Sequence, residues 1–193
     1  MNQEKKDLDI GKKASLKRLQ FCNFKLDFLL NLTLAINETL PVHKILEKYL
    51  AILKEELNIG KVLLFNYNEK WERLLMSGVP HKVADEIKVP NDLLYYNQIT
   101  NLTIALNPHL TFFDVLVPVF HHERPIAYLL IGDIEEERAG MSPTIKHLHF
   151  IQTLTNIVAV AIENRNLYNQ NLRQEVLKKE LDLASRMQSM LIP

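Results

Sequence analysis

Seven histidines and one cysteine are the side chains with which this sequence could hold a metal or run nucleophilic chemistry. Their spacing supports little of either. His121 and His122 adjoin Glu123, but neighbours on a tight turn are expected to point apart and to be solvated. His147 and His149 are two residues apart in a segment of helical pattern, so they face different sides. His109 lies in an irregular stretch and reads as a loop residue; contact with haem or a polar ligand is the alternative. Cys22, within LQFCNFKLDFLL, reads as a small buried hydrophobe. A single cysteine excludes an intramolecular disulfide and any multi-cysteine zinc site. There is no G-x-S-x-G elbow and no serine in a recognisable Ser-His-Asp context. What remains is aromatic: Tyr95, Tyr96, Phe112 and Phe113 either wall a small-molecule cavity, with His109 beside it, or fill that cavity themselves.

The chain around these residues is of ordinary globular type. Its 193 residues suit one domain plus some extra helix, and 47% hydrophobic against 24% charged residues excludes disorder throughout. The 23 basic and 23 acidic residues balance, which gives no support to a nucleic-acid-binding face. The charged start lacks an apolar segment after it, so no secretory signal is seen. No apolar run approaches the roughly 20 residues that span a bilayer. A cytoplasmic protein without membrane contact is expected.

Residues 1–12 are polar and expected to be disordered. Apolar spacing predicts a helix over 13–36, with Phe21, Leu29 and Leu30 widening its stripe enough for more than one neighbour. A second helix fits 42–57, stopped by Asn58 and Gly60. KVLLFNY and WERLLMSG, separated by Asn68-Glu69-Lys70, read as an antiparallel hairpin. A turn at 77–80 leads to a short helix near 81–88. Residues 89–112 look irregular, with one short strand near Leu102 to Leu106. DVLVPVF and RPIAYLLIGD flank His121-His122-Glu123 as a second hairpin, and Pro118, which has no N–H to donate, places its strand at an edge or a bulge. After an acidic loop, Ser142 and Pro143 are placed to start a last helix.

No glycine or proline occurs between Pro143 and Pro193, so this helix would extend about 70 Å, further than a small domain can cover. IQTLTNIVAVAIEN is apolar enough to lie on a sheet. Beyond it Leu167, Gln170, Gln174, Leu177, Leu181, Ala184, Gln188 and Leu191 recur at steps of three and four, the spacing of a coiled-coil seam weakened by its polar members. A parallel homodimer is the expected partner state.

MSGVP at 76–80, VLVPVFHHERPIAYLLIGD and LTNIVAVAIENRNLY at 154–168, in this order between these helices, resemble a GAF domain over roughly 25–168. The strand that often carries G-V-L in that family has Ala127-Tyr128-Leu129 instead. The resemblance implies an α+β fold: an antiparallel sheet with helices packed on one side, plus a long C-terminal signalling helix. It divides the chain into a GAF-like sensory domain at 13–168 and a coiled-coil linker helix at 169–193. KELDLASRMQSMLIP in turn resembles the lead-in to a PPM (PP2C-type) phosphatase of the SpoIIE and RsbU-like branch, through Glu180, Leu181, Ala184, Gln188, Leu191 and Pro193, with Met187 and Ile192 departing from its usual residues. That implies a chain stopping where a catalytic domain would begin. The divalent metals (Mn or Mg) and the phosphorylated anti-anti-sigma-like substrate of such an enzyme would belong to that further domain. The chain itself is then expected to be no enzyme, but a regulator of a downstream serine/threonine phosphatase in bacterial signalling, with or without an unknown small-molecule ligand. A ligand-free dimerisation or docking scaffold and a haem-binding gas or redox sensor through His109 are the alternatives. The cysteine-dependent sulfoxide reductase and bilin-binding types of GAF domain do not fit one cysteine in an N-terminal helix, and no cyclic-nucleotide pattern N-K-(n)-F-x-x-x-D-E, with n a spacer of variable length, is found.

Overall fold

The computed structural model describes residues 15, 16, 19, 22, 23, 25–34, 36, 40–134 and 147–191, and side chains as far as residue 188. The expected disorder of 1–12, the start of the last helix at Ser142-Pro143, and the side chains of Phe21 and Leu191 lie outside that range. Helical residues 25–34 (α1) are followed by α2 (Val42–Ala51), which runs on into one π turn, Ile52–Glu56. The first hairpin is β1 (Ile59–Asn68) and β2 (Lys70–Ser77). Two short helices follow, α3 (His81–Glu86) and α4 (Val89–Asp92), then β3 (Thr100–Asn101) and a 3-10 turn, Leu110–Phe112. The second hairpin is β4 (Val115–His121) and β5 (Arg124–Ile134), and α5 spans Leu148–Leu191.

These strands form one antiparallel sheet in the order β2-β1-β5-β4-β3. Its centre, β1 and β5, is buried on both faces, which is why both strands read as near-continuous apolar runs. Side chains alternate across the sheet. Val62, Leu64, Val117, Leu129 and Ile131 meet α1, α2 and α5 on one face; Leu63, Phe65, Leu116, Tyr128 and Leu130 lie on the other. The fold is therefore α+β, with the long helices on one side. The opposite face is roofed by α3, α4 and the loops around β3.

Local chemistry explains the chain reversals. Asn58 takes φ 54° and ends the π turn in the left-handed conformation that asparagine tolerates. Glu69 and His122 hold positive φ at the two hairpin tips. Gly78, at φ 68°, approaches so closely that an added Cβ would lie 2.1 Å from the Gly60 carbonyl oxygen, so glycine is required there. Pro118 sits beyond the two residues of β4 that pair with β3, and next to a register shift at Val119/Phe120, so its missing donor leaves no gap in the ladder. Its carbonyl accepts a hydrogen bond from Gln152 Nε2 at 2.9 Å, joining the strand to α5.

Four expectations need correction. The short strand is Thr100–Asn101, not Leu102 to Leu106: Leu102 is fully buried and turns the chain inward, while Ile104 and Leu106 are exposed. Leu30 does not widen the packed stripe of the N-terminal helix: Phe28, Leu29, Leu32 and Ile36 lie on the core, while Leu26 and Leu30, on the other side, are exposed. Cys22 is exposed rather than buried. His121 and His122 do not diverge. Their ring centroids are 4.7 Å apart, since the positive φ of His122 turns its side chain back alongside its neighbour.

Candidate functional site

The sheet face opposite the long helices is where an antiparallel sheet under short helices and loops can hold a ligand. Phe113 is fully buried in the apolar cluster with Leu63, Leu116, Tyr128 and Leu130, and occupies the interior that a ligand would otherwise need. Phe112 packs against it edge-on at 5.7 Å and carries the Lys61 ammonium 4.0 Å above its ring. Lys61 is held there by Asp133 at 2.9 Å and by the Phe112 carbonyl at 3.3 Å. Tyr96 packs on the same cluster, whereas Tyr95, stacked on it at 4.5 Å, is 64% exposed. His109 is half-buried, and its backbone N–H donates to Asn107 Oδ1 at 2.9 Å. The fold thus gathers Tyr96, Phe112 and Phe113 into one cluster, turns Tyr95 outward, and leaves His109 on a loop ahead of the 3-10 turn.

An open cleft of about 490 Å³ lies elsewhere on this face, between the β1–β2 edge and α3–α4. Its floor is Phe65, Trp71, Ile87 and Val89; its rim carries Lys70, Arg73, Asp85 and Lys88. None of the five residues proposed from sequence lines it. Arg73 Nη1 lies 2.6 Å from Asp85 Oδ1, and that hydrogen bond holds the Asp85 carboxyl below its usual value. Lys88 Nζ donates to the Asp85 carbonyl at 2.6 Å. The rim therefore presents more positive than negative charge over an aromatic floor. Trp71, the only tryptophan, was legible as a strand residue, but nothing local marks it as the wall of a cleft.

Behind Trp71, at 5.3 Å between ring centroids, stands Tyr128, fully buried on β5. Its hydroxyl has no hydrogen-bond partner among the described residues, and burial pushes its pKa up. An orphan buried hydroxyl costs free energy. Tyr128→Phe should therefore raise stability by about 1 kcal/mol, a melting temperature higher by about 2–4 °C in a domain of this size. Thermal unfolding checks this, and a clear loss of stability would show that the hydroxyl has a partner.

Among the described residues no group of three or more histidine, cysteine or acidic side chains is placed to hold a metal. His147 is buried and His149 exposed, so that pair faces different sides, while His121 Nδ1 stands 3.7 Å from Glu163 Oε2 of α5.

The whole arrangement is similar to that of solved domains. The GAF domain of a protein described as a sensor histidine kinase, from Pseudomonas syringae pv. tomato, superposes with a TM-score of 0.61 at 13% identity, over 83% of this chain and 99% of its own. The GAF domain of an Acinetobacter phosphoenolpyruvate-protein phosphotransferase gives a TM-score of 0.54 at 14% identity, over 74% of this chain and 94% of its own. The fold is that of a GAF domain. No protein-family model matches the sequence, and no curated protein is similar to it.

From the sheet of this GAF fold, α5 extends as one helix of 44 residues, about 66 Å long. Phe150, Ile151, Leu154, Val158 and Ile162 pack on the sheet; the helix surface from Leu167 to Gln188 is mostly exposed. Of the proposed seam, Leu167, Gln174, Leu177, Leu181, Ala184 and Gln188 are all exposed in the single chain, and Gln170 Nε2 donates to Glu69 Oε1 of the first hairpin tip at 3.2 Å. Leu172, Val176, Leu183 and Met187 are exposed as well, on an adjacent side that the sequence reading passed over. No helix among the described residues is long and apolar enough to cross a membrane.

Proposed function

We propose that this chain is a sensory and regulatory GAF module of bacterial signalling, without enzymatic activity of its own, that dimerises in parallel through α5 and controls a downstream PPM/SpoIIE-type protein phosphatase in the cytoplasm. The observation that carries this reading is α5 itself: an unbroken 44-residue helix, anchored on the sheet by its first turns and exposing leucines beyond them. A lone helix of that composition is marginal in water, and a paired one buries the leucines. The likeness of residues 180–193 to a phosphatase lead-in names the output. The phosphatase, its Mn or Mg ions and its phosphorylated anti-anti-sigma-like substrate belong to that reading.

The mechanism is a change of helix packing. Consecutive helix residues are about 100° apart, so the line through Leu177 and Leu181 and the line through Val176 and Leu183 are alternative seams related by rotation. Gln170, Gln174 and Gln188 weaken the first, which keeps the two close in free energy. A signal bound on the far face of the sheet, beside Tyr95, Tyr96, His109, Phe112 and Phe113 or in the cleft at Trp71, would bias one over the other.

A ligand-free dimerisation or docking scaffold is the second reading, and the burial of Phe113 within the far-face cluster favours it. Haem held by His109 would give a Soret band on reconstitution, and its absence would end that variant. Native mass spectrometry of the purified chain separates the main readings. A dimer carrying extra mass supports the ligand sensor, and a dimer at bare mass supports the scaffold. Removal of residues 1–165 from the whole protein should alter phosphatase output or its regulation; unchanged output and regulation would refute control by this module.

A further inference from the structure

We propose that the outer edge of β2, with the cleft beside it, receives an extended acidic segment of a partner protein, added to the sheet as a further strand with one apolar side chain in the cleft. The two ends of the sheet differ. At one end β3 pairs only with Val115 and Leu116 of β4; beyond them Pro118 has no N–H to offer, and its carbonyl is taken by Gln152 Nε2 of α5. At the other end β2 is the terminal strand, and among the described residues no further strand pairs with its outer side. Leu64 and Phe65 of β1 stand opposite Leu75 and Arg73, so Leu74 is an extra residue and β2 bulges there. A bulge interrupts regular pairing, which leaves Lys70 to Arg73 as the straight stretch open to a partner. Trp71 and Arg73 of that stretch line the cleft floored by Phe65, Ile87 and Val89.

Charge decides the occupant. Lys70, Arg73 and Lys88 line the cleft against one carboxylate, Asp85. Arg73 holds that carboxylate at 2.6 Å, whereas Lys88 Nζ donates to a backbone carbonyl and Lys70 reaches Glu72 at 3.5 Å with both side chains exposed. A second copy of this chain does not fit. Antiparallel pairing of the stretch 70–73 with itself would set Lys70 against Arg73 twice, and like charges directly opposite destabilise a ladder. A segment with carboxylates in those places reverses the sign. Its backbone extends the ladder, and its apolar side chain covers the aromatic floor. Residues two apart on a strand share a face. The segment therefore carries an apolar or aromatic residue opposite Trp71 and a carboxylate two residues along, opposite Arg73. Nothing in this inference depends on the pairing of α5.

Trp71 is the only tryptophan, so its fluorescence reports on the cleft directly. The probe is the peptide VETFTEV, which sets phenylalanine against Trp71 and a glutamate against Arg73 in either strand direction. Titrated into the full chain at low salt, it should shift the Trp71 emission with a Kd below about 1 mM. The charge-reversed peptide VKTFTKV should bind at least about 10-fold more weakly, and so should VETFTEV to the Lys88→Glu variant. Lys88 is exposed, so K88E should unfold at the parent temperature, and the charge-reversed peptide makes the same test on the unaltered protein. VETFTEV N-methylated at its three central residues cannot donate to the ladder whichever amides face β2, and should also lose at least about 10-fold. No response of Trp71 to VETFTEV, or equal binding of VKTFTKV, would overturn the acidic partner. Undiminished binding of the N-methylated peptide would overturn strand addition and leave the cleft as a site for a side chain or a small molecule alone.

Discussion

Replacing Leu177 and Leu181 together by glutamate is expected to turn a dimer into a monomer at micromolar concentration and to leave the fold of the domain intact. The two leucines are 57% and 70% exposed in the single chain, so their loss removes no packing within the domain. Substitutions at such positions usually change stability by less than about 0.5 kcal/mol. In the proposed seam four leucines are lost per dimer, each worth about 1.5–3 kcal/mol of burial, and four carboxylates crowd together in their place. Even with much of that sum offset, association should weaken more than about 1000-fold, since each factor of ten needs only about 1.4 kcal/mol. Sedimentation equilibrium of the two proteins checks this. A double variant that remained a dimer would show that α5 does not form the interface at this line of residues.

Tyr49→Ala is expected to be the most damaging single change in the domain, at about 3–5 kcal/mol. Tyr49 on α2 is fully buried against the helix face of the sheet, and its hydroxyl lies 2.7 Å from Thr155 Oγ1 of α5, 106 residues away in sequence. Thr155, also fully buried, donates to the Ile151 carbonyl at 2.6 Å. It therefore accepts from Tyr49, and the two milder variants should differ. Tyr49→Phe leaves Thr155 with its Ile151 partner and should cost about 1 kcal/mol. Thr155→Val strands the tyrosine hydroxyl in the core and should cost more, about 1–3 kcal/mol. Denaturant unfolding of the two variants measures the order; equal losses, or the reverse order, would overturn this assignment of donor and acceptor.

Alkali should expose the same contact. Burial raises the Tyr49 hydroxyl well above the ordinary tyrosine value. With the folded value above the unfolded one, the contribution is fully present below about pH 10. Above that pH the unfolded chain releases a proton that the folded chain keeps, so stability falls by up to about 1.4 kcal/mol per pH unit for each such tyrosine. Tyr128 shifts in the same direction and adds to the slope. Tyr49→Phe should flatten it, and an unchanged slope in that variant would contradict the assignment.

What was legible in the sequence followed local periodicity. The 3.6-residue spacing of Ile45, Leu46, Tyr49 and Leu53 marks α2, and the asparagine and glycine after it mark its end. Short apolar runs bounded by turn residues mark both hairpins, and Pro118 announces its own edge position. The 93–113 segment was harder, because its buried residues, Leu93, Leu102, Leu110 and Phe113, are scattered among polar ones without any period. They are held by the sheet beneath them rather than by a helix or strand of their own, and β3, only two residues long, was misplaced for that reason.

The sequence by itself determined the order and type of the main elements, the length of α5 and the leucine line along it, since each depends on residues within a few turns of one another. Only the tertiary structure decided that Cys22 and Leu30 face outward, that Tyr49 reaches Thr155, that Trp71 and Phe65 floor a cleft, and that Tyr128 is buried without a hydrogen-bond partner among the described residues. These depend on the pairing of β1 with β5, strands some sixty residues apart in the order of elements, and on the antiparallel register that sets Phe65 against Tyr128. A one-residue slip in that register would exchange the two faces of β5 and place Tyr128 under α5 instead. No local pattern carries that information, because it resides in how two cores on opposite faces of one sheet are filled at once.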